Sequence, residues 1–290
     1  MTESEQPAPR KSRAGRDLPA AIGVGLFLFA VIVATLTWWP TGFILLLVVL
    51  TSLGAIEVHQ ALQRVGMRSA VIPVVIGNVI IIGGSYAAAL LQPVTNLPWH
   101  VVLLGTIGGT VLLALIWRMF DGADGYARDS AASLFIIGYI PLLASFVGLI
   151  LAQPHGVAKV VGVALCIAGS DTGGYAAGAT LGRHRMAPSI SPKKTWEGLA
   201  GSFLLAGVLG VLHVVLVMGR PWWFGVLLAV VVVIFGTAGD LIESMIKRDV
   251  GIKDMSSFLP GHGGVMDRLD STLVAAPAAW LVFTIAGGGW

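Results

Sequence analysis

The sequence predicts an all-α polytopic membrane protein of about nine transmembrane helices, its N-terminus cytoplasmic and its C-terminus outside. Composition is the first reason. Of 290 residues, 56% are apolar and only 11% charged, less than half the charged share of an ordinary soluble domain. Run length is the second: apolar stretches repeatedly approach the roughly 20 residues that a helix needs to cross a bilayer core. The third is the placement of charge. Net charge is only +3, yet 16 of the 18 Lys and Arg fall on one side of the predicted membrane.

In chain order, residues 1–17 are polar, with Pro7, Pro9, Arg10, Lys11, Arg13 and Arg16, and read as a disordered cytoplasmic tail. A basic stretch before an apolar one also suits a secretory signal. The run Leu18 to Thr37 is too long for a signal core, however, and no small-residue cleavage pattern follows, so a retained helix is expected. Further spans follow at about 41–58, 70–91, 97–117, 131–152, 157–178, 197–218, 221–239 and 271–287. Residues 18–152 form the first five helices, and residues 153–290 a catalytic block of four helices with charged loops. Pro40, Pro98, Pro154 and Pro221 sit at span edges, where a missing N–H matters least. Trp38, Trp39, Trp99, Trp117, Trp196, Trp222 and Trp223 fall near span ends, as in an interfacial belt. Gly105, Gly108, Gly109, Gly207 and Gly210 are expected to let helices approach closely. The single Cys166 excludes a disulfide framework.

Orientation follows from the loops. With the N-terminus inside, only Lys159 and Arg220 lie outside, and all 15 Asp and Glu fall in inside segments or the inner ends of spans. Asp171 is the most deeply placed. A transporter or channel is expected to carry polar groups through the full membrane thickness; here they stop partway.

Chemistry concentrates in Asp240 to Ser271, which holds ten of the chain's 33 charges. Asp267 and Asp270 in DRLD share a helix face by i, i+3 spacing. Two like charges there call for compensation, which Mg²⁺ supplies while keeping water and substrate phosphate as its other ligands. Acids also favour a helix start for its dipole alone. Asp240, Ser244 and Lys247 share another face, and Asp240 at a membrane edge calls for a partner, such as Lys247, or a metal. In LPGHGG, the glycines around His262 leave backbone N–H groups free for an anion.

A second cluster surrounds span six. SDTGGYAAG places Ser170, Asp171 and Thr172 in an otherwise apolar helix. SPKKTWEG places Lys193 and Lys194 between Ser191 and Thr195, just before span seven, which suits a triphosphate clamp at a helix N-terminus. DGADGYAR, at Asp121 to Arg128, superficially resembles the carboxylate motif of CDP-alcohol phosphotransferases. Its spacing is one residue short and no further Asp follows Asp129, so it reads as a loop with turn chemistry. Glu57 and His59 read as interfacial.

The run SMIKRDVGIKDMSSFLPGHGGVMDRLD, Ser244 to Asp270, resembles the signature of the phosphatidate cytidylyltransferase (CDP-diacylglycerol synthase) family: S-x-x-K-R, then K-D, then HGG, then DR-x-D. SDTGGY and SPKKTWEG resemble upstream segments of that family, and the Ala/Gly/Val-rich composition is similar to its actinobacterial members. The resemblance implies a multi-pass plasma-membrane enzyme joining CTP to phosphatidate in phospholipid biosynthesis, its site facing the cytoplasm, with no nucleic-acid partner. It implies metal-binding or metal-neighbouring roles for Asp240, Asp267 and Asp270, holding one or two Mg²⁺, and a charge-partner role for Lys247. Asp171, Ser191, Lys193, Lys194 and Thr195 are then expected to hold the nucleotide. Ser244, Arg248, Lys253, His262 and Arg268 are expected to hold the lipid phosphate. Family members form dimers, which implies a homodimer.

Overall fold

The computed structural model of the chain describes residues 18–256, 258 and 263–286. The predicted tail and His262 lie outside these. The described residues form an all-α polytopic bundle with one small hairpin. Its helices are α1 (Leu18–Trp38), α2 (Pro40–Gln63), α3 (Val71–Thr95), α4 (Trp99–Met119), α5 (Tyr126–Tyr139), α6 (Pro141–Leu151), α7 (Gly156–Leu181), α8 (Trp196–Leu216), α9 (Trp222–Asp249) and α10 (Met266–Ile285). Among the described residues, eight segments from Pro40 onward are long and apolar enough to cross a membrane. In one of them α5 and α6 run in series, interrupted at Ile140 where Pro141 lacks the N–H that would continue the ladder. The first predicted span is helical too, as α1.

Helices outlast their apolar runs. Span eight was expected to end at residue 239, but α9 continues to Asp249. A helix ladder needs only backbone groups, so leaving the hydrocarbon does not end it. The extension carries Asp240, Glu243 and Lys247 beyond the apolar run. The segment before α8 was read as a loop and is an antiparallel hairpin, β1 (Arg185–Ala187) with β2 (Ser191–Thr195), pairing Arg185 with Thr195 and Ala187 with Ser191. Pro192 and two lysines weaken any strand signal in β2; its order comes from the partner strand.

α7 packs against α8, and α8 and α10 both pack against α9. The α7–α8 seam depends on glycine. A Cβ on Gly173 would stand 2.3 Å from the Gly201 carbonyl oxygen. Of the glycines expected at close approaches, Gly210 is one, but Gly105, Gly108, Gly109 and Gly207 face open space. A small residue permits contact and does not create it. α10 also touches α2, α6 and α7, so α1–α6 and α7–α10 share one core.

Candidate active site

The α7–α8 seam, the hairpin and the end of α9 enclose a polar cavity of about 300 Å³. Asp171, Ser191, Lys193, Lys194 and Thr195 all line it, with Ser170, Tyr175, Ser202, Thr237 and Asp240 among the others. The hairpin explains how a short lysine-rich segment reaches α7 and α9. The Trp196 N–H donates to the His184 carbonyl at 3.0 Å and closes it. Arg248 Nε donates to the Ile190 carbonyl at 3.3 Å, tying its turn to α9. Thr195 caps α8, its Oγ1 accepting from the Gly198 N–H at 3.1 Å. The first N–H groups of α8 are thus already engaged, and the groups on the hairpin suited to phosphate are the two lysine ammoniums with the Ser191 and Thr195 hydroxyls.

A carboxylate cluster adjoins this cavity where α9 meets α10. Gly239 allows the approach: a Cβ there would lie 2.4 Å from the Asp270 carbonyl oxygen. The Asp240 carboxyl consequently lies within hydrogen-bonding reach of the Asp270 carboxyl and of Ser271. Lys194 forms an ion pair with Asp240. Lys247 does not pair with Asp240. It bridges Glu243 and Asp267, the latter at 2.8 Å, because an i, i+4 partner lies under its own side chain. Asp267 is further held by the N–H groups of Gly264 at 2.7 Å and Met255 at 3.0 Å.

Carboxyl groups outnumber lysines in this cluster. Four carboxyl groups, on Asp240, Glu243, Asp267 and Asp270, face two lysine ammonium groups, and Glu243 Oε1 is buried without a hydrogen-bond partner. Among the described residues no group of three His, Cys, Asp or Glu is spaced to hold a metal ion by protein ligands alone. A cation taking one or two carboxylates and completing its shell with phosphate oxygens fits such a site.

A second cavity, of about 360 Å³ and almost wholly apolar, lies among α1, α2, α6, α7 and α10. Leu28, Ile32, Phe43, Leu47, Val160 and Ala276 are among its walls; Asp171 and Arg268 are its only charged residues among those described. Of the five residues expected at the lipid phosphate, Arg268 alone lines this cavity. Arg248 serves the hairpin, Lys253 is exposed, Ser244 lines neither cavity, and His262 lies outside the described residues. Asp171 belongs to the walls of both cavities.

Glu243 and Glu57 are the acids that motif reading passed over. Glu243 was legible as the i−4 partner of Lys247. Glu57 was read as interfacial but is buried, accepting from the backbone N–H groups of Val265 and Met266, and no local signal announces a contact so distant in sequence.

Comparison with known proteins supplies the family. A model described as the cytidylyltransferase family matches residues 19–286. The chain is 40% identical over 294 residues to a phosphatidate cytidylyltransferase of Mycobacterium bovis, covering 97% of this chain and 93% of that protein. It is 38% identical to that of Mycobacterium leprae, over 98% and 92% of the two chains. It is 30% identical to that of Bacillus subtilis, over 63% and 80%.

Proposed function

This chain belongs to the cytidylyltransferase family and is a nucleotidyltransferase, and from that premise we propose that it converts CTP and phosphatidate to CDP-diacylglycerol and diphosphate. One observation carries the choice of substrates. A polar cavity with two lysines and an apolar cavity with one arginine share the wall residue Asp171. The first suits a triphosphate, the second an acyl chain whose phosphate stops at Arg268.

In this reading, an oxygen of the lipid phosphate attacks the α-phosphorus of CTP. The bond from that phosphorus to the oxygen bridging to the β-phosphate breaks, and diphosphate leaves. The lipid phosphate has a second pKa of about 6 if it behaves as other phosphate monoesters do, so the nucleophile is ionised at neutral pH without a general base. The work is to bring two polyanions together in line. Lys193, Lys194, Ser191 and Thr195 hold the triphosphate. Arg268 holds the lipid phosphate from the apolar side, with Ser244, Arg248, Lys253 and His262 as further contacts. Asp240 and Asp270, with Asp267, would hold one or two Mg²⁺, which when bound neutralise phosphate charge. Lys247 keeps Glu243 and Asp267 in place. The site faces the cytoplasm in a plasma-membrane homodimer that feeds phospholipid biosynthesis.

The test is transfer of α-labelled CTP into lipid by the purified protein. Label is expected in lipid only when phosphatidate and Mg²⁺ are both present. Transfer that ignores phosphatidate, or that survives chelation of Mg²⁺, would sink the corresponding part of the reading.

A further inference from the structure

Glu57 lies in α2 and lines neither cavity, with 5% of its surface exposed. Its Oε1 accepts from the Val265 N–H at 2.9 Å, and its Oε2 from the Met266 N–H at 2.8 Å. Ser256 Oγ donates to Oε1 as well, at 2.5 Å. The first N–H groups of a helix have no acceptor within it and carry its positive partial charge. At the start of α10 the cap residue is Val265, whose side chain makes no capping hydrogen bond. The acceptors are therefore supplied by a carboxylate from another helix.

The local packing serves this contact. Gly54, nearly one turn before Glu57, would place a Cβ 3.5 Å from Met266 Sδ, so a small residue there leaves room for the buried Met266. A Cβ on Gly264 would stand 2.7 Å from Glu57 Oε2 and 3.0 Å from Asp267 Oδ2. Two carboxylates thus converge on one short stretch of backbone. Asp267 secures it from within α10, and Glu57 from α2.

We infer that Glu57 is a positioning residue for the reaction: it fixes the start of α10, and with it the placement of Asp267 against Lys247 and of Asp270 against Asp240. It touches neither cavity and acts only through that helix. The inference rests on the proposed reaction for its catalytic consequence, but its structural half can be read without turnover.

The experiment compares the full-length wild type with Glu57→Gln and Glu57→Asp. Glutamine keeps the shape but turns an NH₂ towards one of the two amides. Its kcat is expected to fall about 10- to 100-fold, as when an outer partner of a site residue is removed. Apparent KM for CTP should move by less than about twofold, since the CTP cavity is untouched. Hydrogen exchange in the peptide covering Gly264 to Met266 should accelerate at least about tenfold, with α7 and α8 unchanged. Aspartate keeps both acceptors on a shorter arm, so its kcat should lie between the other two. If Glu57→Gln loses protection in every helix, Glu57→Asp decides by the same local exchange and kcat. Normal kcat, unchanged exchange at Gly264 to Met266, or a defect confined to KM for CTP would each overturn the inference. A wild type that transfers nothing from CTP, with exchange still released in Glu57→Gln, would instead refute the proposed reaction and leave the placement of α10 by Glu57 standing.

Discussion

Two knots of charge in this molecule, one buried and one partly so, look alike in sequence and differ in how they are satisfied. In the first, Asp129 and Arg118 are both buried and 3.0 Å apart. Both oxygens of Asp129 are used, by Arg118 Nε, by the Arg68 N–H and, at 3.4 Å, by Arg128 Nε. The other two Arg118 nitrogens donate to the carbonyls of Gly122 and Asp124. In the second knot, four carboxyl groups share two lysines and Glu243 Oε1 has no partner among the described residues. Burial of an unbalanced charge is unfavourable in any low-dielectric setting. The first knot is complete as built and reads as architecture. The second keeps a carboxylate oxygen unpartnered among the described residues, and reads as a candidate site. Satisfaction of the charges separates the two better than their density does.

The widest separation between the knots should come from charge-removing variants with nearly the same shape. Asp270→Asn is expected to lower CTP-to-lipid transfer on the order of 1000-fold, the scale for losing a group that stabilises transition-state charge. In the absence of divalent metal the same variant should melt no lower than wild type, because it relieves two facing carboxyls. A melting temperature that drops with activity would put Asp270 among the structural groups and erase the contrast. Asp129→Asn should do the reverse. Losing one partner of a buried, hydrogen-bonded pair costs on the order of 3 kcal/mol, read as a lower melting temperature, while KM for CTP stays near wild type in the protein that remains folded. A stable but inactive Asp129→Asn would make the first knot functional too.

Lys194→Ala tests the border of the second knot. Lys194 both lines the polar cavity and pairs with Asp240. A hydrogen bond to a charged group contributes about 1.5–3 kcal/mol, so apparent CTP affinity should weaken by about tenfold or more. An unchanged CTP affinity would leave Lys194 as a mere counter-charge for Asp240.

The parts of this molecule that sequence reveals are those governed by local rules. The spans were legible because bilayer thickness sets run length. The nucleotide cavity was legible because Ser191 to Thr195 is contiguous and Asp171 stands out in an apolar helix. What stayed hidden depends on how helices dock. Lys247 meets Asp267 as well as its own-helix partner Glu243 because α10 approaches at Gly239, and nothing within α9 reveals that approach. Glu57 reaches Val265 and Met266 from the other end of the chain. Arg248 carries a family motif yet its Nε serves the hairpin carbonyl of Ile190, because β2 pairs with β1.

The smallest expected effect tests whether a carboxylate motif alone implies chemistry. Asp124 belongs to DGADGYAR and precedes α5, yet it enters the first knot through its backbone carbonyl, 2.6 Å from an Arg118 nitrogen, while its side chain is exposed. Asn in its place keeps that carbonyl. What it removes is a negative charge just before a helix start, worth about 0.3–1 kcal/mol at most at an exposed position. Asp124→Asn should therefore change transfer from CTP by less than about twofold and barely shift the melting temperature. A loss above about tenfold would mean that an exposed carboxylate outside both cavities takes part in the reaction. Satisfaction would then no longer separate the two knots, and a second reaction centre at the α4–α5 turn would have to be considered.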